Sequence, residues 1–288
     1  MDHLISTKTI NCKCNFRVDI GELYNTLPIT PYVPIIKMRG RRSKDYVPAI
    51  PQLLEDGNIV TLKYKEVHRG VLLKTRKKSK NNAFGNSLII VMKVYGKLIN
   101  IKCCNNGRIQ ITGAKSIHHA IEFFVWLKRY AQRLLLINGP LLQVYCCTMM
   151  TNVNFSIGYH VDRIKLRDYI NNKTPFHAHF EPCSEYTGVT IQIVPTGVDT
   201  IPVDILTFLP EQEYPVISSI SLEEYVKGLP EYESNRENLK EHHVKFFVFQ
   251  SGKILMTGTH EQCMIKAFDD LGKTLREATH EIKEELCL

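Results

Sequence analysis

The 288-residue sequence lacks several features that would assign it to a large class of proteins. No apolar run approaches the roughly 20 residues that a membrane-spanning helix needs, and the N-terminus has no basic segment leading into an apolar one. No Walker loop, Gly-x-Gly-x-x-Gly or Gly-x-Ser-x-Gly motif occurs. We therefore expect neither secretion nor membrane insertion, no cofactor, and a protein that is not an enzyme.

Cysteine and histidine usage gives little sign of disulfide or metal chemistry. The nine cysteines are odd in number and lie largely in apolar, strand-like runs, including Cys103-Cys104 and Cys146-Cys147. Free cysteine behaves as a small buried hydrophobe, so this usage favours a reducing compartment. A metal ion at His177-Ala178-His179-Phe180-Glu181-Pro182-Cys183 is an alternative, but the spacing matches no strong zinc signature. Surface histidines are our interpretation of that segment.

Negative charge is scarce in the first half of the chain. Residues 1–140 hold 24 Lys and Arg against 8 Asp and Glu, whereas residues 141–288 hold 13 against 21. The net charge of +8 therefore divides into +16 and −8. A polyanionic partner would meet the first half preferentially.

Two copies of one hairpin pattern organise the sequence. Residues 246–259 read as a strand, a Ser-Gly turn at Gly252 and a second strand, and a helix-like run follows at 261–285. Residues 102–115 repeat the Gly-(Arg/Lys)-Ile-x-x-Thr-Gly core and precede a predicted helix at about 116–136. Thr112 and Thr257 are 145 positions apart (257 − 112), which indicates a duplicated half of the protein.

These units, NGRIQITGAK and SGKILMTGTH with KAFDDL, resemble the end of each repeat in the TATA-box-binding protein (TBP) family. The resemblance implies an α+β fold of two pseudo-symmetric repeats, each running strand, helix, three main strands and long helix. Together the repeats would form a curved antiparallel sheet, or saddle, with the helices on its convex face. In that family the concave face lies in the minor groove of DNA.

The resemblance also implies the domain organisation. Residues 1–140 form the first repeat with a basic insertion at about 30–82, and residues 141–288 form the second with an acidic insertion at about 196–243. A basic run is either a solvated surface or a phosphate-binding segment, and attachment to DNA-binding repeats favours the second. Within it we predict a hairpin that turns at His68-Arg69-Gly70. The acidic insertion is expected to fold over the basic half or the concave face and compete with DNA.

Strand alternation and the resemblance select the candidate DNA-binding residues. If Thr257 faces the groove, so do Leu255, Phe249 and Phe247, and the matching face in the first repeat holds Thr112, Gln110, Cys104 and Lys102. By resemblance, the family's central asparagine corresponds to Asn152, with Asn154 on the same face. The wedge phenylalanines of its second repeat correspond to Phe249 and Tyr186. Its phosphate-binding arginines correspond to Lys93 and Gln192. Arg108 and Lys253, the basic residues of the two hairpin cores, complete the set.

The first repeat departs from the family pattern. Its central asparagine falls near Ile5 or Thr7, and its wedge positions fall near Ser87 and Cys104. The wedge side chains that kink DNA are therefore expected mainly in the second repeat.

The resemblance implies a general transcription initiation factor that binds and bends A/T-rich promoter DNA. Its partners would be double-stranded DNA and initiation factors or RNA polymerase subunits, and no membrane. Divergence from the family indicates a viral or parasite member, acting in the nucleus or, if it is viral, in a cytoplasmic viral factory. Two alternatives remain open: an interaction protein that keeps the fold without TATA recognition, and a nuclease or glycosylase fragment.

Overall fold

The computed structural model describes residues 4–33, 53–71, 86–137, 140–182, 187–238 and 242–284. The chain forms two compact units. The first unit comprises Ile10–Cys146 and Ile205–Ile217, and the second comprises Met1–Thr9, Cys147–Asp204 and Ser218–Leu288. Each unit therefore takes a short segment from the other predicted half.

The strands and helices alternate along the chain. The strands are β1 (Ile5–Cys14), β2 (Phe16–Val18), β3 (Ile59–Tyr64), β4 (Val67–Gly70), β5 (Ser87–Val94), β6 (Lys97–Cys104), β7 (Arg108–Ala114), β8 (Leu135–Ile137), β9 (Leu142–Ser156), β10 (His177–His179), β11 (Val189–Ile193), β12 (Pro202–Phe208), β13 (Val216–Ser221), β14 (Val244–Val248) and β15 (Lys253–Gly258). The helices are α1 (Ile20–Thr26), α2 (His118–Ala131), α3 (Arg163–Lys173), α4 (Leu222–Lys227), α5 (Glu231–Asn238) and α6 (Glu261–Ile282).

Most of these strands belong to a large, open, antiparallel sheet, so the predicted α+β class is confirmed. In the first unit the hydrogen-bonded order is β1-β7-β6-β5-β3-β4, and in the second it is β10-β11-β14-β15-β9-β1. Strand β12 pairs with β9 and with β13. Both units run strand, helix, three main strands and long helix, as predicted for the two repeats.

In both repeats, an aspartate caps the first helix after the first strand. The Asp19 carboxylate accepts the N–H of Glu22 and caps α1, and the Asp162 carboxylate accepts the N–H groups of Ile164 and Lys165 and caps α3. These aspartates lie 143 positions apart (162 − 19). An aspartate directly before a helix is a favoured N-cap, so both helices begin where their sequence predicts.

In both repeats, the turn glycine of the hairpin with the Gly-(Arg/Lys)-Ile-x-x-Thr-Gly core packs against the backbone that precedes the first helix. Gly107 (φ +79°) and Gly252 (φ +74°) adopt left-handed backbone conformations. A Cβ atom at Gly107 would lie 2.2 Å from the carbonyl oxygen of Phe16, and one at Gly252 would lie 2.1 Å from that of Tyr159. Glycine is therefore required at both turns for conformation and for close approach. Phe16 and Tyr159 are again 143 positions apart (159 − 16), so the repeat extends beyond the hairpins.

Alternate strand residues pack against the helices and form one core in each unit. In the second unit these strand residues pack on α3 and α6, and in the first unit on α1 and α2. The core strand residues include Ile90, Met92, Ile101, Ile109 and Ile111 in the first unit and Ile191, Phe246, Val248, Ile254 and Met256 in the second. No helix in these described segments is long and apolar enough to cross a membrane.

Two local predictions are wrong. The hairpin in the basic insertion turns at Lys65-Glu66, and His68 to Gly70 lie within β4, because Lys65 itself adopts the left-handed conformation (φ +53°) that the turn needs. Helix α2 ends at Ala131 rather than near residue 136, because Leu135 to Ile137 form β8 and pair with β2.

The acidic insertion supplies part of the core of the first unit. Leu206 and Phe208 of β12 are buried with the residues of α2. The Lys128 ammonium on α2 donates hydrogen bonds to the carbonyls of Leu209 (3.0 Å) and Gln212 (2.8 Å). Residues 205–217 therefore pack on the helix-covered side of this unit. This agrees with the first of the two expected positions, the basic half, and not with the second, the concave face.

Candidate nucleic-acid interface

Each unit has a sheet face that points away from its core helices, which we call the open face. Strand residues that alternate with the core residues lie on it and are half-buried or exposed. Because alternation fixes the side of every residue, the open faces can be read from the strand register.

One polar row crosses the open face of the second unit. Thr257 of β15 lies directly opposite Asn152 of β9 on one side and Lys245 of β14 on the other. Lys245 in turn lies opposite Gln192 of β11, which lies opposite His177 of β10. The row therefore offers a hydroxyl, two amides and an ammonium group as hydrogen-bond donors.

A second row beside it is more apolar. Leu255 lies opposite Asn154 and Phe247, and Phe247 lies opposite Thr190. Asn154 is exposed, whereas Leu255 and Phe247 are half-buried. The open face of the second unit thus combines an apolar centre with amide groups at its edge.

The Asn152 side chain is held in place by β1. Its side-chain amide nitrogen donates to the hydroxyl oxygen of Thr7 at 3.1 Å, and the Ser6 hydroxyl donates to the backbone carbonyl oxygen of Asn152 at 3.1 Å. The first of these bonds orients the amide from the strand that neighbours β9.

The open face of the first unit carries Thr112 at the matching position. Thr112 lies opposite Asn100, and Gln110 lies opposite Lys102. The Gln110 amide nitrogen donates to the Asn11 side-chain oxygen at 3.1 Å. Arg108, Gln110 and Thr112 are exposed along β7. This face is therefore polar and basic where that of the second unit is partly apolar.

The described part of the basic insertion covers one edge of this first face. Leu54, Val60 and Val91 form a small buried cluster with Leu98 beside them. The Lys93 ammonium donates to the carbonyl of Leu54. Lys93, a predicted phosphate ligand, therefore already has a protein partner, and Val91 rather than Lys93 occupies the row of Thr112 and Asn100.

The wedge positions differ between the units. Phe249 is half-buried at the end of β14, where its carbonyl accepts the N–H of Gly252 at 2.9 Å. In the first unit Ser87 pairs with Cys104, so neither of these positions is aromatic. Tyr186, the other predicted wedge, lies outside the described residues.

The repeat interval corrects one correspondence and adds residues that the sequence reasoning missed. An interval of 143 positions places Thr9, not Ile5 or Thr7, at the position of Asn152, and Asn11 at the position of Asn154. Lys245 was also missed, although its alternation with Phe247 was visible in the sequence.

The open faces carry positive and neutral groups. Lys253 and Lys245 lie on the second, and Arg108 and Lys102 lie on the first. No Asp or Glu occurs on the open-face positions of the described β5, β6, β7, β9, β11, β14 and β15. Such a surface suits a polyanion.

The histidines of β10 lie at the surface, and two of the strand cysteines are buried thiols. His177 and His179 are exposed on β10, and the His179 imidazole lies 3.5 Å from the Glu181 carboxylate. No group of three or more His, Cys, Asp or Glu in the described ranges could hold a metal ion. Burial raises the pKa of the Cys14 and Cys103 thiols, so both stay protonated at neutral pH.

The fold and the open faces define an α+β protein made of two copies of one unit, each with a sheet face that its core helices leave open. No protein-family model matches the chain. Uncharacterized protein 335L of Invertebrate iridescent virus 6 is 25% identical over an alignment of 206 residues, which covers 67% of this chain and 61% of that protein. The chain thus spans less than two thirds of the length of this viral relative. It is also similar to the solved structure of Methanococcus jannaschii TBP, with 12% identity, a TM-score of 0.48, and coverage of 95% of this chain and 97% of that chain.

Proposed function

We propose that this protein is a non-enzymatic, TBP-like transcription initiation factor that binds and bends A/T-rich promoter DNA through the minor groove. The observation that carries the proposal is that Thr112 and Thr257 lie at matching positions on two open faces whose described strands β5, β6, β7, β9, β11, β14 and β15 carry no acidic residue there. The sequence resemblance of both hairpins to the TBP family supports the same conclusion.

The chemistry of the open faces fits the minor groove at A·T pairs. That groove offers only acceptors at A·T pairs, whereas G·C pairs add an amino donor. The hydroxyls of Thr112 and Thr257 and the amides of Asn152 and Asn154 are short donors for such acceptors. In this proposal Leu255 lies against the sugar edges, and Phe249 enters a base step as a wedge.

A direct test compares binding to A/T-rich and G/C-rich duplexes by fluorescence anisotropy. The double variant Thr112→Val with Thr257→Val keeps the side-chain shape and removes both hydroxyls. If each hydroxyl makes one hydrogen bond worth about 1 kcal/mol, affinity for the A/T-rich duplex falls about 30-fold. Thr26→Val, on the exposed end of α1, is the matched control and should bind as the unaltered protein does.

Equal affinity of the unaltered protein for both duplexes would contradict minor-groove selection of A·T pairs. Unchanged affinity of the double variant would remove the two threonines from the interface.

The second candidate is an interaction protein that has lost TATA recognition. The observation in its favour is the first open face, where Leu54 covers one edge and Ser87 and Cys104 stand at the wedge positions. Absence of binding to either duplex at moderate salt would favour this candidate over the first.

The cellular setting is part of the proposal. The viral relative supports a viral setting. We propose that the protein acts there in transcription, in the nucleus or in a cytoplasmic viral factory. Initiation factors or RNA polymerase subunits would then be the protein partners.

A further inference from the structure

A pocket on the helix side of the first unit is lined by three aromatic side chains and two carboxylates. Trp126 and Glu122 come from α2, Tyr95 from the β5–β6 turn, Asp56 from the loop before β3 and Tyr214 from the loop before β13. It lies away from the open face, because Met92 and Val94 of the helix-covered side also line it.

The two insertions build two walls of this pocket. Asp56 and Gly57 belong to the basic insertion, and Tyr214 belongs to the acidic insertion. The Gly57 N–H donates to the carbonyl of Lys93 at 2.8 Å, and a Cβ atom at Gly57 would lie 3.7 Å from the Trp126 ring. The hydrogen bonds that Lys128 makes to residues 209 and 212 fix the loop that carries Tyr214. The site therefore depends on the segments that the TBP resemblance leaves out.

The side chains that line the pocket carry more negative than positive charge, with Asp56 and Glu122 against Arg129. The Tyr95 hydroxyl donates to the Glu122 carboxylate at 2.9 Å, and the Asp56 carboxylate accepts the N–H of Gly96 at 2.9 Å. Loss of solvation, then the hydrogen bond and charge of Glu122, and then Tyr214 and Asp56, raise the pKa of the Tyr95 phenol to about 12. These groups are therefore close enough to act on one another.

The cation that lines this pocket is already paired. Arg129 forms an ion pair with Glu213 at the pocket. Within the described residues, neither Asp56 nor Glu122 pairs with a cation. Two carboxylates thus stand beside the aromatic walls with no positive partner in the described part of the chain.

Tyr95 reaches the pocket from the two-residue turn between β5 and β6. Its φ of +47° and the φ of Gly96 (+69°) are the left-handed conformations that such a turn needs, and 53% of Tyr95 is exposed. Its ring lies edge-on to the His119 ring, with 5.4 Å between the centroids. The turn therefore presents an aromatic side chain at the pocket.

We propose that this pocket binds an organic cation, a guanidinium or methylated ammonium group such as a partner protein's side chain presents. The aromatic faces attract a cation through their quadrupoles, and Glu122 and Asp56 supply compensating charge. This site is independent of DNA binding, since its residues lie on the other side of the unit.

Trp126 makes the test direct, because it is the single tryptophan of the chain. Its fluorescence is followed while N-acetyl-arginine amide, N-acetyl-trimethyllysine amide or spermidine is added to the full-length protein. N-acetyl-citrulline amide is the matched uncharged control. We expect saturable changes with the charged compounds and none with citrulline at the same concentrations. Tighter binding of spermidine than of both amides would support the cation site with a free polyamine as its source.

Two variants test the walls. Glu122→Gln and Tyr95→Leu should each weaken cation binding about fivefold, the size of one exposed cation–π or ionic contact. Glu231→Gln and Tyr232→Leu on α5 are the matched controls, and urea unfolding confirms that each variant is folded. Equal responses to arginine and citrulline, or full affinity in both pocket variants, would overturn the proposal.

Discussion

The hairpin cations Arg108 and Lys253 offer a quantitative test of DNA contact. They stand at equivalent positions, each directly after a turn glycine, and both are exposed on the open face of their own unit. Each phosphate contact that a Lys or Arg makes changes the slope of log K against log salt by about −0.9. Replacing both residues with glutamine should therefore reduce the steepness of that slope by about 1.8 and lower affinity at 0.1 M salt about 60-fold.

The assay is anisotropy of a labelled A/T-rich duplex over a series of salt concentrations. The matched control replaces Lys266 and Lys273 of α6, which are exposed on the helix side of the second unit, and removes the same charge. If the control flattens the slope as much as the hairpin variant, net charge rather than open-face contact drives binding. An unchanged slope in the hairpin variant would refute the contacts altogether.

Three further predictions test the turn, the core and the wedge. Gly252→Ala should lower the free energy of unfolding by about 2–4 kcal/mol, because its Cβ would meet the Tyr159 carbonyl. Gly96→Ala, with open space around it, should lower it by only about 1–2 kcal/mol. Equal losses measured by urea unfolding would contradict the steric argument. Burial lowers the pKa of His119, so the free energy of unfolding should fall as pH drops below about 6.5. In the His119→Gln variant, the urea midpoint should change less between pH 7.5 and 5.5 than in the unaltered protein. An equal drop of the midpoint in the variant would show that other groups cause the pH dependence. Phe249→Ala should reduce DNA bending measured by end-to-end energy transfer more than it reduces affinity, and an unchanged bend would remove Phe249 as a wedge.

The repeat could be predicted from sequence because its signals are local. Gly107 and Gly252 mark turns between strands of alternating pattern, and an aspartate before the first helix marks its cap. The same local rules failed where distant pairing decides. Leu135 to Ile137 continue a helix-like pattern, yet they become a strand because Phe16 to Val18 pair with them.

In the candidate site, too, the features that depend on local sequence were predictable and those that depend on distant segments were not. Alternation placed Thr257, Leu255 and Phe247 on one face correctly, since side-chain direction in a strand has a period of two. The covering of one edge by Leu54 and the partner of Lys93 could not be foreseen, because both depend on how the loop of an insertion folds back. The aromatic pocket also escaped prediction, since its walls come from four separate segments.

The central claim is recognition of A·T pairs from the minor groove, and a base-substituted duplex tests it most directly. Replacing every A·T pair of a bound duplex with inosine·cytosine gives a G·C-like major groove and keeps a minor groove without the guanine amino group. The account predicts that the protein binds this duplex as tightly as the A/T-rich one. Binding as weak as that of the G/C-rich duplex would contradict it.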